Sequence, residues 1–212
     1  MGIVEDIKES IINMDGDKAK ELTQEAIGEP LEAEKILKEG LIPAMEVVGK
    51  EYEVGKKFIP EMLLSAEAMK GALELLRPLL AKSKVKAAGK VVMGTVEGDV
   101  HDIGQNLVST MLEGGGFKVS SLGTDVPAEE FVAAVKEESP DIIGMSALLT
   151  TTMPHMKDVV AALIESGLRD KVKVMVGGAV LNQQFADEYG ADGFAPDAAS
   201  AVRLAKRLIN GK

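Results

Sequence analysis

From residue 90 onward, short apolar runs rich in β-branched residues alternate with segments at helical spacing, and this alternation is the strongest constraint on the fold. Each run is followed by a helix candidate, so the pattern predicts five βα units. Because parallel strands need a crossover connection, usually a helix, we expect a doubly wound parallel sheet with helices on both faces. The predicted strands cover Val91–Met93, Phe117–Val119, Asp141–Met145, Val172–Val176 and a weak Gly193–Ala195.

The region before residue 83 shows a different pattern. Apolar residues such as Ile7 and Ile11 recur at helical spacing, and alternating β-branched runs are almost absent. Breaks at Asp15–Asp17, Gly28–Pro30 and Gly55–Lys57 divide this region into four predicted helices. A short basic stretch of mostly small residues follows and is typical of a linker. The predicted parts are a four-helix bundle at 1–82, a linker at 83–89 and an α/β domain at 90–212.

Composition argues against several classes of function. The net charge of −10 argues against nucleic acid, because phosphate binding needs clustered Lys and Arg, and the 3% aromatic content gives little base stacking. No apolar stretch reaches the roughly 20 residues of a membrane span, and the charged amino terminus is not a signal peptide, so we expect a cytoplasmic protein. The absence of cysteine excludes a disulfide, a thiolate nucleophile and an iron–sulfur cluster.

A five-unit sheet of this size commonly has the strand order 2-1-3-4-5, which opens a crevice between strands 1 and 3 at their carboxyl ends. The loops after strands 1, 3 and 4 are therefore the expected ligand-binding loops. The loop after strand 1, residues 94–106, is rich in glycine and acidic residues. Its glycines do not have the spacing of a dinucleotide fingerprint, and no Gly-Lys-Ser/Thr of a P-loop follows. A phosphate cradle is therefore disfavoured.

This loop carries one imidazole, His101, with the carboxylates of Asp99 and Asp102 close in sequence. A carboxylate bound to one ring nitrogen fixes the tautomer and raises the basicity of the other nitrogen, as in a metal-ligating histidine. The alternative is a surface histidine in a turn. A metal site built from protein alone is disfavoured, because His155 is the only other imidazole. One histidine suffices if the metal arrives already held in a macrocycle.

Three sequence fragments occur in order, each at the end of a predicted strand. Asp99-x-His101-x-x-Gly104 is followed after 41 residues (105 to 145) by Ser146-x-Leu148, and after 28 more (149 to 176) by Gly177-Gly178. This pattern resembles the signature of the cobalamin-binding domain shared by methionine synthase and the methyltransferase corrinoid proteins. The segments Gly55–Pro60 and Ser65–Met69 resemble the helical cap domain of the same proteins, so the similarity covers essentially the whole chain.

The resemblance implies an N-terminal helical cap followed by a flavodoxin-like or Rossmann-like cobalamin-binding domain. It implies that the benzimidazole of the cofactor leaves the cobalt and that His101 takes the vacated lower axial position, the base-off/His-on state. Asp99 then holds the other imidazole nitrogen, and Thr152, in the place of a serine, completes a relay. Ser146, Leu148, Gly177 and Gly178 are expected to line the tunnel for the nucleotide tail, although Gly177-Gly178 is also explained as a strand-to-helix turn. The implied cofactor-binding positions are Asp99, His101, Asp102, Ile103, Gly104, Ser146, Leu148, Thr150, Thr152, Gly177 and Gly178, with His101 as the metal ligand and no catalytic residue.

Five further positions carry weaker expectations. Phe58, Met62 and Met69 lie at a spacing that suits a cover over the corrin ring, but a stripe of this kind is more often plain core. Gln105 stands where lysine is frequent in the family, which alters an expected phosphate contact. His155, after a proline near a predicted helix start, is expected to be a surface or partner-contact residue.

The function implied is that of a methyl carrier with a cobalamin or related corrinoid cofactor, in its methylcobalamin form during turnover. The expected partners are a substrate-specific methyltransferase, a second methyltransferase that passes the methyl group to tetrahydrofolate or a thiol, and a reductive activase. The donor expected from overall resemblance is a methylated amine. The alternatives are a cobalamin-sensing regulatory protein, the small subunit of an adenosylcobalamin-dependent mutase, and a receiver-like domain that binds no cofactor.

Overall fold

The computed structural model describes residues 2–28, 30–80 and 87–211. The chain divides into two compact units, residues 1–87 with 113–116 and residues 88–112 with 117–212. Of the predicted linker at 83–89, residues 83–86 lie outside the described residues. No helix in the described part of the chain is long and apolar enough to span a membrane.

The first unit is helical. Asp15 begins its second helix as an N-cap, since its side chain accepts a hydrogen bond of 2.9 Å from the backbone N–H of Lys18. The chain stays helical from Pro30 to Glu53 through a π-helical segment, which the spacing of apolar residues did not predict. Its elements are α1 (Ile3–Ile12), α2 (Gly16–Ala26), α3 (Pro30–Lys35), the π segment Ile36–Leu41, α4 (Ile42–Glu53) and α5 (Ile59–Leu80).

The second unit is the predicted parallel sheet with helices between its strands. Five strands in the described part of this unit pair in the order β2-β1-β3-β4-β5, and every pairing is parallel, so the predicted fold class and strand order are confirmed. The elements are β1 (Lys90–Thr95), α6 (Ile103–Gly114), β2 (Lys118–Ser121), α7 (Ala128–Glu138), β3 (Ile142–Ser146), α8 (His155–Glu165), a 3-10 turn (Arg169–Lys171), β4 (Lys173–Gly177), α9 (Gln183–Tyr189), β5 (Gly193–Ala195) and α10 (Ala198–Asn210).

Both faces of the sheet are buried. Val92, Ile143 and Val174 lie opposite one another on adjacent strands and belong to the core on one face. Val91 and Ile142 belong to a separate core on the other face. This double burial explains why the strands appear as continuous apolar runs rather than as alternating patterns.

The register of the sheet sets the position of the loops that follow the strands. Thr95, the last residue of β1, pairs with Ser146 at the end of β3, and Ser146 pairs with Gly177 at the end of β4. The three strands therefore end side by side, and the loops after them emerge at one edge of the sheet.

Candidate cofactor site

The carboxylate of Asp99 connects the loop after β1 to the loop after β3. Its side chain is fully buried. One oxygen, Oδ1, lies 2.7 Å from Nδ1 of the His101 ring and also accepts the backbone N–H of His101 at 3.1 Å. The other oxygen, Oδ2, accepts the backbone N–H of Leu148 at 2.8 Å and the hydroxyl of Thr152 at 2.6 Å. The structure thus brings together the three side chains of the relay expected from the resemblance.

The charge state of Asp99 fixes the tautomer of His101. Burial by itself raises the pKa of the Asp99 carboxyl, but hydrogen bonds from Thr152, Leu148 and His101 outweigh it and hold the pKa well below its ordinary value of 3.8. Asp99 is therefore ionised at neutral pH and only accepts hydrogen bonds. Nδ1 of His101 must therefore carry the proton that binds Asp99, which leaves Nε2 as the ring nitrogen that can bind a metal.

The His101 ring is open to solvent on the side away from Asp99. Its side chain is 44% exposed, and within the described residues no hydrogen bond is made to Nε2. Apolar side chains next to it are exposed as well, with Val100 at 68% and Ile103 at 77%. Leu148 and Leu149, whose backbone N–H groups bind Asp99, are also exposed. An exposed apolar cluster around one unpaired nitrogen is typical of a ligand site rather than of a surface turn.

These features fit a metal held in a large apolar ring better than a metal held by protein alone. The described part of the chain contains no group of three or more His, Cys, Asp or Glu side chains that could hold an ion. A single nitrogen ligand completes the coordination of a macrocyclic metal from one side, and the apolar side chains offer contacts to the ring. The residues present therefore fit a corrinoid.

The remaining motif residues lie at the carboxyl ends of β3 and β4. Thr95 Oγ1, fully buried, lies 2.8 Å from Ser146 Oγ. Gly178 has φ of +136°, and a Cβ there would lie 1.9 Å from the carbonyl oxygen of Ala147. Glycine at 178 is therefore required by the turn itself, with or without a ligand. Thr95 was not selected from the sequence, which placed it in the loop after the first strand, whereas β1 extends to Thr95.

Several predicted residues lie apart from the Asp99 network. Asp102 accepts a hydrogen bond of 3.0 Å from the side-chain amide of Asn106, so Asp99 and not Asp102 is the partner of His101. Thr150 is exposed in the turn after β3, and Gly104 is exposed in the first turn of α6. Gln105 is buried.

The structure also places Gln105, His155 and the three residues that could cover the corrin ring. Gln105 donates a hydrogen bond of 2.8 Å to Ser121 Oγ, so it is part of the packing between α6 and β2. His155 is half-buried at the start of α8, with Nδ1 3.1 Å from Asp158 Oδ2. In the helical unit, Met62 and Met69 are buried, whereas Phe58 is 65% exposed. The core reading therefore applies to the two methionines and not to Phe58.

Comparison with known proteins gives one consistent family. Residues 89–203 match a B12 binding domain family, and residues 3–77 match a second family described as a B12 binding domain. The chain is 46% identical to a corrinoid protein of Desulfitobacterium hafniense, over 99% of this chain and 98% of that protein. It is 43% identical to a dimethylamine corrinoid protein of Methanosarcina acetivorans, over 98% of this chain and 97% of the relative.

A solved structure shares the whole architecture. The methanol:cobalamin methyltransferase complex of Methanosarcina barkeri contains a chain that is 35% identical, with a TM-score of 0.87 over 99% of this chain and 80% of that one. These relatives span the helical and the α/β units together, as the sequence resemblance predicted. The chain therefore belongs to the family of corrinoid-binding proteins of methyltransferase systems, with cobalamin or a related corrinoid as its cofactor.

Proposed function

We propose that this protein is the methyl carrier of a methyltransferase system, with Nε2 of His101 as the lower axial ligand of the cobalt. The observation that carries this proposal is the hydrogen-bonded series Thr152–Asp99–His101, which ends in a nitrogen lone pair amid exposed apolar side chains. In this proposal the chain contributes the ligand and its positioning, and we assign no separate catalytic residue. When bound, the corrinoid supplies the cobalt that takes up and releases the methyl group.

Asp99 and Thr152 act through the ligand. Because Asp99 is ionised, it holds the Nδ1–H of His101 and makes Nε2 a stronger donor to a metal. The Thr152 hydroxyl bound to Asp99 Oδ2 withdraws part of that negative charge. Protonation at the Asp99–His101 pair would therefore change how strongly His101 binds and so favour one redox or methylation state of the carrier.

The other motif residues serve the cofactor periphery in this proposal. Ser146 supplies a hydroxyl next to the buried Thr95. Gly177 and Gly178 line the nucleotide tail in this proposal, while the close carbonyl of Ala147 already requires glycine at 178. The remaining proposed contacts on the corrin side are Asp102, Ile103, Gly104, Leu148 and Thr150.

The proposed partners are methyltransferases that act before and after the carrier. A substrate-specific methyltransferase delivers the methyl group, and relatives named for dimethylamine and methanol support a methylated amine or a similar small donor. A second methyltransferase passes the group to tetrahydrofolate or a thiol, and a reductive activase restores oxidised cofactor. We place these steps in the cytoplasm. The match of residues 3–77 to the second B12 binding domain family favours a carrier over a mutase subunit.

The carrier assignment predicts that the chain does not methylate its cofactor without a partner. Full-length protein loaded with hydroxocobalamin and reduced to cobalt(I) is incubated with dimethylamine or methanol, with and without a methyltransferase specific for that donor. Absorbance should report the methylated cofactor only when the methyltransferase is present. Multiple turnovers by the chain alone would contradict the assignment.

Replacing Gly104 with alanine should separate corrinoid binding from folding. An added Cβ would have no protein atom within 4 Å, and alanine is favoured over glycine in a helix by up to about 1 kcal/mol, so the fold should not weaken. If the corrin lies against this turn, the methyl group should lower corrinoid affinity by about tenfold, or roughly 1.4 kcal/mol. Titration with cobalamin measures the effect.

The matched control is Gly16→Ala in the first turn of α2. The added Cβ would be 3.5 Å from Ala68, an ordinary van der Waals distance, and the site lies in the helical unit. This variant should bind cobalamin as the wild type does. Equal affinity in both variants would remove Gly104 from the proposed binding surface.

A further inference from the structure

The loop after β2 contacts the His101 loop through Asp125. Oδ1 of Asp125 accepts the backbone N–H of Gly98 at 2.7 Å. The backbone N–H of Asp125 donates to the carbonyl of Asp99 at 2.9 Å. One residue on the β2 loop thus binds two successive residues just before the proposed ligand.

Asp125 adopts a backbone conformation that its neighbours impose. Its φ of +55° lies in the left-handed region, which Asp tolerates better than most residues and which persists only where the surroundings fix it. The surroundings do fix it, because Gly123 accepts from the N–H of Thr95 at 2.9 Å and Val126 donates to the carbonyl of Thr95 at 3.0 Å. A parallel bridge joins Val96 to Val126. Asp125 is therefore held against the extension of β1.

The segment that Asp125 binds is a tight turn. The N–H of Asp99 donates to the carbonyl of Val96 at 3.1 Å, and Gly98 within the turn has φ of +77°. The path of this turn sets where the Asp99 carboxylate stands. Asp99 in turn holds His101 through Oδ1. The hydrogen bond from Asp125 to Gly98 is therefore connected to the imidazole through the backbone of Gly98 and Asp99 and the Asp99 side chain.

We infer that Asp125 is a positioning residue for the axial ligand: its carboxylate holds the turn at Gly98 so that Asp99 presents His101 with Nε2 directed outward. This inference rests on the proposed ligation by His101. Asp125 does not act on the reacting atoms but through Asp99, and it lies outside the motif residues that sequence reasoning selected.

Three substitutions separate the side-chain acceptor from the backbone conformation. Asp125→Asn keeps an acceptor oxygen and tolerates the left-handed region. Asp125→Gly removes the acceptor and also relieves the backbone, so its fold should be kept. Asp125→Ala removes the acceptor and adds strain. If the acceptor positions the ligand, the Gly and Ala variants should behave alike and the Asn variant should resemble the wild type.

The measurement is the cobalt(II)/cobalt(I) midpoint potential of each full-length protein loaded with cobalamin. Cobalt(I) prefers no axial ligand, so weaker binding of the imidazole to cobalt(II) raises this potential. In the Gly and Ala variants we expect the imidazole to bind cobalt(II) about tenfold more weakly, which raises the potential of this one-electron couple by about 59 mV. In the Asn variant the binding of the imidazole should change by less than about twofold. A structural role alone would lower the unfolding temperature without moving the potential.

Wild-type potential in both the Gly and Ala variants would overturn the inference, and so would a shift confined to the strained Ala variant. The paramagnetic resonance spectrum of wild-type cobalt(II) protein separates this outcome from failure of the proposed function. If nitrogen from His101 is seen on the cobalt and the Gly variant leaves the potential unchanged, the role of Asp125 alone is wrong. If no protein nitrogen is seen on the cobalt, both the proposed ligation by His101 and the role of Asp125 are wrong.

Discussion

Replacing Asp99 with asparagine is expected to lower the free energy of unfolding of the cofactor-free protein by about 3 kcal/mol at neutral pH. The buried carboxylate accepts hydrogen bonds from His101, Leu148 and Thr152, and the asparagine side chain offers only one acceptor oxygen. Its amide NH₂ would face the backbone N–H of Leu148 or that of His101, and a donor against a donor leaves both unsatisfied. Urea unfolding at pH 7 measures the difference from the wild type.

The same variant should show a distinct pH dependence. The folded-state pKa of Asp99 is lowered, so its contribution to stability is present above the unfolded value near 3.8 and is lost as the pH falls below that value towards the folded pKa. The difference between wild type and Asp99→Asn should therefore shrink as the pH falls below about 4. A difference at pH 7 below about 0.5 kcal/mol, or one that does not change in acid, would contradict this assignment.

Asp192 provides a matched control. Burial raises the pKa of Asp192, but the N–H of Val174 and the cations of Lys173 and Arg169 outweigh it and leave the pKa lowered, as for Asp99. Asp192 lies at the opposite edge of the sheet, before β5. Asp192→Asn should also weaken the fold, yet it should leave corrinoid binding and axial ligation unchanged. Only Asp99→Asn should change both properties.

The position of the site was predictable because the periodicity of the sequence locates the strands and because five-unit sheets commonly have the strand order that is observed. Strands 1, 3 and 4 were placed correctly from short apolar runs, and parallel strands in this order must end side by side. The partner of His101 was harder to choose, since Asp99 and Asp102 are both close in sequence. The turn at Gly98 decides it, because it buries Asp99 and leaves Asp102 exposed.

The contributions of Thr95 and Asp125 were not predictable from the sequence. The sequence placed Thr95 in the loop after the first strand, and its contact with Ser146 follows only from the register of β1 and β3. Asp125 reaches Gly98 across the pairing of two strands, and its left-handed backbone leaves no mark in the sequence because it is not a glycine. Both depend on contacts between residues far apart in the chain.

The π-helical segment at Ile36–Leu41 was missed because its apolar spacing also suits an α-helix.

His101→Ala is expected to remove the axial nitrogen completely while the fold persists. The ring is partly exposed, so its loss removes little buried area, and Asp99 keeps its bonds to Leu148 and Thr152. Cobalamin affinity should fall by at least about tenfold, with residual binding through the proposed tail contacts. His155→Ala is the control, since that ring lies beside Asp158 on α8 and should leave affinity unchanged. An equal loss in both variants would contradict the assignment.

The bond between His101 and cobalt can be observed directly in the cobalt(II) state. An axial nitrogen splits the paramagnetic resonance lines through its nuclear spin, into three components for natural nitrogen and two for nitrogen-15. Protein labelled uniformly with nitrogen-15 and loaded with unlabelled cobalamin should therefore give doublets, and His101→Ala should abolish them. Triplets would show that benzimidazole stays on the cobalt, and doublets that persist in His101→Ala would assign the ligand to another protein nitrogen. Either result would contradict ligation by His101.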